Sequence, residues 1–273
     1  AVVLPAGAAG AAGPSVGRFQ GADRFATSAA IVNASYQPGV PVVYIATGLN
    51  FPDALAGGAA AAKAGGPLLL VLPNSIPTQI ASELTRLTPA SIVVLGGTAA
   101  VSDGVMSSLK TYTSGTVTRV GGSDRYATAG KLAAAFPAGS AVFIATGRDF
   151  PDALAGTAAA AAKHGAILLT GLSALPSATS AALSKLAPSS ITILGGTDVV
   201  SAAVATQLGN YSSIVSRLSG GDRYATAAAI ATAVFPRATG VLISAGAGFA
   251  DAPTAAPVAA PPATPPPVPI PHL

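Results

Sequence analysis

The chain repeats itself, and that constrains its fold more than any other feature. RFQGADRFAT from Arg18 returns as RVGGSDRYAT from Arg119 and RLSGGDRYAT from Arg217, so RxxGxDR[FY]AT occurs three times with aspartates 101 and 98 residues apart. A second block, YIATGLNFPDALAG from Tyr44, returns as FIATGRDFPDALAG from Phe143 and LISAGAGFADAPTA from Leu242. It places Asp53, Asp152 and Asp251 at intervals of 99 residues. A third block, SIVVLGGTAAVS from Ser91, recurs once, as SITILGGTDVVS from Ser190. A period near one hundred residues in a 273-residue chain means one structural unit built twice in full and once in part. The units span residues 16–115, 116–213 and 214–251.

Within one period the hydrophobic pattern alternates between two kinds of element. DR[FY]AT leads into an Ala-rich helical stretch, followed by a short β-branched run (Val42 to Ala46, Val142 to Ala145) that reads as a buried strand. FPDALAGGAAAAKAGG then carries Pro at its first helical position, Asp beside it and a Gly pair at its end, the start and stop signals of a helix. PLLLV is a strand, PTQIASELTRL a helix with apolar residues three and four apart, SIVVLGG a strand, VSDGVMSSLKTY a helix and TVTRVGG a strand. Apolar strands alternating with helices predict an α/β fold of tandem modules, each a small parallel sheet flanked by helices. The third module is incomplete.

Two terminal stretches are set apart from this pattern. Residues 1–15, AVVLPAGAAGAAGPS, read as a leader or the remnant of a secretory signal peptide, outside the fold. Residues 252–273 read as a Pro-rich tail: from Asp251 onward nine of 23 residues are proline. Interior prolines cost a helix roughly 3 kcal/mol each, which predicts an extended tail with neither helix nor strand. It is either a spacer or the decayed remainder of the third module.

Composition narrows the chemistry. No cysteine and two histidines leave no disulfide framework and no thiolate or histidine metal set, and no motif implies a cofactor. The basic residues are scattered singly rather than in a stripe with aromatic residues, which argues against nucleic acid. No run of about twenty strongly apolar residues marks a membrane span. The net charge of +4 gives a weak attraction to anionic partners.

Only 24 residues are charged, and twelve of them belong to the repeated template: Arg18, Asp23, Arg24, Asp53, Arg119, Asp124, Arg125, Asp152, Arg217, Asp222, Arg223 and Asp251. A structural reading has the aspartates capping helices at about 1 kcal/mol each and the arginines pairing across modules. A functional reading places them where strand ends meet helix starts, the rim at which open α/β sheets bind ligands. There, arginines and helix N-termini suit the phosphate or carboxylate groups of a polymer, with avidity from repeated sites. Catalysis has less to stand on: His164 and His272 are not repeated, and Asp149 pairs with Asp152 in the second copy alone.

RxxGxDR[FY]AT, [YF]IATGxxFPDALAG and [IV]LGGTxxVS, in that order from about residue 16 to residue 251, resemble the cell-wall-binding repeat 2 family of Gram-positive bacterial surface proteins. The resemblance implies a pseudo-threefold arrangement of α/β modules and a secreted, wall-located protein. It also implies noncovalent anchoring to an anionic secondary wall polymer, without catalysis of its own, beside an effector domain absent from this chain. The expected departure is the unfinished third module. The alternatives are a wall hydrolase or other α/β enzyme, or a purely structural repeat protein.

Overall fold

Three segments are described in the computed structural model: residues 2–5, 16–249 and 252–259. β1 (Val2–Pro5) and β2 (Gly17–Arg18) precede α1 (Arg24–Ser35). The first unit continues with β3 (Val43–Thr47), α2 (Pro52–Lys63), β4 (Leu68–Val71), α3 (Thr78–Leu87), β5 (Ile92–Leu95), α4 (Asp103–Leu109) and β6 (Val117–Val120). The second repeats this order as α5 (Arg125–Ala133), β7 (Val142–Thr146), α6 (Pro151–Ala162), β8 (Ala166–Thr170), α7 (Ser177–Leu186), β9 (Ile191–Leu194), α8 (Ala202–Leu208) and β10 (Val215–Leu218). The third contributes α9 (Arg223–Val234), β11 (Gly240–Ile243) and α10 (Ala252–Val258).

The two complete units form four-stranded parallel sheets of the same order, β4-β3-β5-β6 and β8-β7-β9-β10. Every residue of β3, β4, β7 and β8 is buried, so these strands show no inside/outside alternation. β6 and β10 open a sequence repeat yet close the sheet of the preceding unit. Successive units are therefore joined through a shared sheet.

The helices begin where their sequences say. Asp23, Asp124 and Asp222 cap α1, α5 and α9, each accepting a 2.7 Å bond from the amide three residues on. Ser102 and Ser201 cap α4 and α8, and Pro52 and Pro151 open α2 and α6. α2, α6 and α10 lie side by side at the centre. Their equivalent positions 58, 157 and 256 meet: a Cβ on Gly58 would lie 2.7 Å from Thr157 Cγ2 and 3.6 Å from Ala256 Cβ. The Thr157 hydroxyl donates across the contact to Leu55 O at 3.2 Å, and Ser28 and Thr254 share a buried 2.9 Å bond. Small side chains let three helices approach this closely, which accounts for the alanine-rich composition.

Two expectations about the ends are corrected. Val2–Pro5, placed outside the fold above, pair antiparallel with both β11 and β2, giving a third sheet of order β11-β1-β2. A helix also forms past residue 251 despite its prolines. Pro253 sits in the first turn of α10, where its missing amide has no partner to lose, and Pro257 is buried with Thr254, Ala255 and Ala256. Packing against α2 and α6 outweighs the one absent bond. The remainder of the tail, residues 260–273, lies outside the described residues.

The central packing predicts that Gly58→Val, which drives a side chain into Thr157, lowers stability by about 1–3 kcal/mol. Adding Thr157→Ala should recover part of the loss. Denaturant titration of the two single variants and the double variant would show that coupling, and strict additivity would contradict the contact.

Candidate functional site

The strand C-termini and helix N-termini of the units converge on one rim, and its centre is aromatic. Phe51, Phe150 and Phe249, each two residues before a template aspartate, form a triangle with ring centroids 5.7, 6.1 and 6.0 Å apart. A guanidinium from the next unit covers each ring: Arg125 over Phe51 at 5.7 Å, Arg223 over Phe150 at 5.9 Å and Arg24 over Phe249 at 5.4 Å. The chain of contacts closes on itself. Each arginine also donates to a strand-end carbonyl of its own unit: Arg24 to Gly48, Arg125 to Gly147, and Arg223 to Gly246 at 2.8 Å. Arg24, Arg125 and Arg223 thus tie neighbouring units together, through a stacked contact worth roughly 0.5–2 kcal/mol each.

The other arginines hold the GG turns. Arg119 donates to Gly96 O at 3.0 Å and pairs with Asp103 at 3.0 Å. Arg217 donates to Gly195 O at 2.7 Å, Gly196 O at 3.1 Å and Val200 O at 2.8 Å. Arg18, their counterpart in the first copy, is exposed.

Asp53 and Asp152 occupy a different position from the capping aspartates. Each opens a helix after its Pro, is half-buried, and lies against the GG turn of its own unit. A Cβ on Gly96 or Gly195 would lie 2.3 Å from Oδ2 of Asp53 or Asp152, and both glycines have positive φ (84° and 93°). Glycine is required at both positions, for backbone conformation and for space. Burial pushes the Asp53 carboxyl above the ordinary range, while the Thr128 hydroxyl and the Arg125 charge pull it back. Burial likewise raises Asp152. There the Thr226 hydroxyl and Arg223 oppose the rise, and the Asp149 charge adds to it. Both carboxylates therefore reach into the junction with the next unit. Asp251, the third of the set, lies outside the described residues.

At the first junction these groups border a cleft of about 430 Å³. Asn50, Asp53, Gly97 and Ala100 of the first unit and Ser123, Asp124, Arg125 and Thr128 of the second line it. The cleft offers two carboxylates, a guanidinium, hydroxyls and an amide within one opening, a set suited to hydrogen-bonding a polar ligand. Sequence reasoning singled out the charges and missed the phenylalanines and Thr128 and Thr226. The signal was present, since the Phe of F[PA]DA and the Thr of DR[FY]AT occur in all three copies.

A carboxyl whose pKa is higher folded than unfolded adds stability below its unfolded value and loses that contribution as pH rises through the folded value. The variant combining Asp53→Asn and Asp152→Asn should therefore be at least as stable as the parent at pH 7. The difference should shrink as pH falls toward about 4, as read by denaturant titration across that range.

Comparison with known proteins agrees with this architecture. A family described as cell wall binding domain 2 (CWB2) matches residues 18–106, 119–205 and 217–265. The chain is 30% identical over 234 residues to the amidase enhancer of Bacillus subtilis (strain 168), covering 86% of this chain and 32% of that protein. It is 29% identical over 242 residues to N-acetylmuramoyl-L-alanine amidase LytC of the same organism, covering 89% of this chain and 48% of that protein. It thus spans about a third of the one relative and about half of the other. Among solved structures, Cwp6 from Clostridium difficile superposes with a TM-score of 0.79 at 23% identity, over 95% of this chain and 43% of that one. Cwp8 from the same organism gives 0.78 at 26% identity, over 89% and 42%. With all three repeats matched and two parallel α/β sheets in place, the chain belongs to the cell wall binding domain 2 family.

Proposed function

We propose that this cell-wall-binding module anchors noncovalently to an anionic secondary polymer of a Gram-positive envelope, holding polymer units in the clefts between neighbouring repeats. The observation that carries the reading is the half-buried carboxylate of Asp53, kept beside the first cleft although burial raises its pKa. A charge retained at a cost to folding is more common where a ligand uses it than where only the fold does. In this reading Asp53 and Asp124 accept from sugar hydroxyls. The free N–H groups of Arg125, with the Ser123 hydroxyl, face the phosphate or carboxylate of the polymer.

The second junction repeats the arrangement with Asp152, Thr226, Arg223 and the Gly195 turn. Two weak sites held at fixed separation on one chain multiply their affinities through effective concentration. Of the template charges, Arg18, Asp23, Arg24, Arg119, Arg217 and Asp222 then contribute by shaping or flanking the rim. The net charge of +4 favours an anionic partner at long range.

The role is binding without catalysis, because the repeated template pairs no nucleophile with a base. The similar stretches of LytC and the amidase enhancer make up only part of those proteins. By analogy this module serves an activity carried outside it, at the cell surface.

Sedimentation with purified wall sacculi, before and after chemical removal of the anionic polymers, tests the reading. The parent should pellet with intact walls and stay in solution with stripped ones. The Asp53→Asn, Asp152→Asn variant should bind at least about tenfold more weakly, a loss of ~1.4 kcal/mol, while remaining folded. Equal binding to stripped walls would exclude the polymer as ligand, and unchanged binding by the variant would exclude the clefts.

A further inference from the structure

Among the described strands, the third sheet has an open edge. In the complete units the strand after the FPDA helix, β4 or β8, pairs with the outer side of β3 or β7. β11, their counterpart, pairs only with β1 among the described strands. The consequence shows in two side chains. Val241 and Ile243 are 48% and 52% exposed, whereas Val43, Ile45, Val142 and Ile144 at the equivalent positions are fully buried. An apolar strand edge of this kind attracts another strand.

We propose that residues 266–271 of this chain, Pro-Pro-Val-Pro-Ile-Pro, dock as a parallel edge strand on β11 and complete the third sheet. The template is internal. In the first unit Tyr44 N–H donates to Pro67 O and Gly48 N–H to Val71 O. In a parallel ladder of that phase, the amides of Leu69 and Val71 face β3 and those of Leu68 and Leu70 face away. Setting Pro266 at the position of Pro67 puts Val268 at Leu69 and Ile270 at Val71. Pro267 and Pro269 fall on the two outward-facing positions.

The only two residues of the segment with an N–H thus lie where the ladder needs a donor. The prolines lie where an edge strand tolerates them. The same register sets Val268 opposite Ile243 and Ile270 opposite Ala245, on the face where Val241 and Ile243 are exposed. Reach is sufficient. Ala61 and Ala259 are equivalent, and six residues lead from Ala61 to Pro67 where seven lead from Ala259 to Pro266. Alternating proline makes the segment a strand that can pair on one side only, so it closes the sheet without templating another chain.

Amide hydrogen exchange on the full chain reads the docking. Leu242, Ser244 and Gly246, equivalent to Tyr44, Ala46 and Gly48, should exchange at least about tenfold more slowly than in a variant lacking residues 264–273. Val268→Pro with Ile270→Pro removes both donors and keeps the tail, and should expose the same three amides. Pro267→Ala with Pro269→Ala should leave them protected. In each variant the amides of β3 and β7 serve as the folding control. Fast exchange of the three amides in the parent, or equal protection in the parent and the Val268→Pro, Ile270→Pro variant, would overturn the proposal. Protection in the truncated chain that grows with protein concentration would assign the edge to a second copy, and would overturn it as well.

Discussion

The arrangement of the repeats depends on a ring of three phenylalanines, each covered by an arginine from the next unit. Each arginine is fixed at its other end by a carbonyl of its own strand, so no unit can rotate without breaking a contact on both sides. The ring lies where α2, α6 and α10 begin, and seven residues further along these helices Gly58, Thr157 and Ala256 meet again. Two levels of contact, about 10 Å apart along a helix, define a common axis for the three repeats. That axis sets the spacing of the junctions between them.

Holding the units this way uses most of the repeated charge. The first aspartate of each copy caps a helix, the second arginine covers a ring, and Arg119 and Arg217 hold a glycine turn. Among the described residues, Asp53 and Asp152 are the template aspartates that cap no helix. They project into the junction, each against a glycine of its own unit and near a threonine and arginine of the next. The two aspartate positions therefore divide: the first caps a helix in every copy, and the second projects into a junction in the two copies where it is described.

Among the described strands, the third unit borrows a neighbour for β11. β1, from the opposite end of the chain, stands beside β11 where a central strand would be, antiparallel instead of parallel. α10 forms although two of its seven residues are proline, because a helix buried between two others tolerates the loss of one internal bond. Local propensity argued against this helix, and tertiary packing overrode it.

Much of this protein was legible in its sequence. The period, the α/β alternation, the helix caps at Asp23, Asp124 and Asp222, and the parallel sheets follow from local pattern, since strand burial and capping depend on residues close together in the chain. What tertiary structure alone decided is which charge meets which partner. Asp53 and Thr128 are 75 residues apart, and Phe249 and Arg24 are 225 apart. Nothing in either neighbourhood announces the other. Three similar units packed about one axis bring them together, so the junctions, and the cleft at the first of them, are products of that packing.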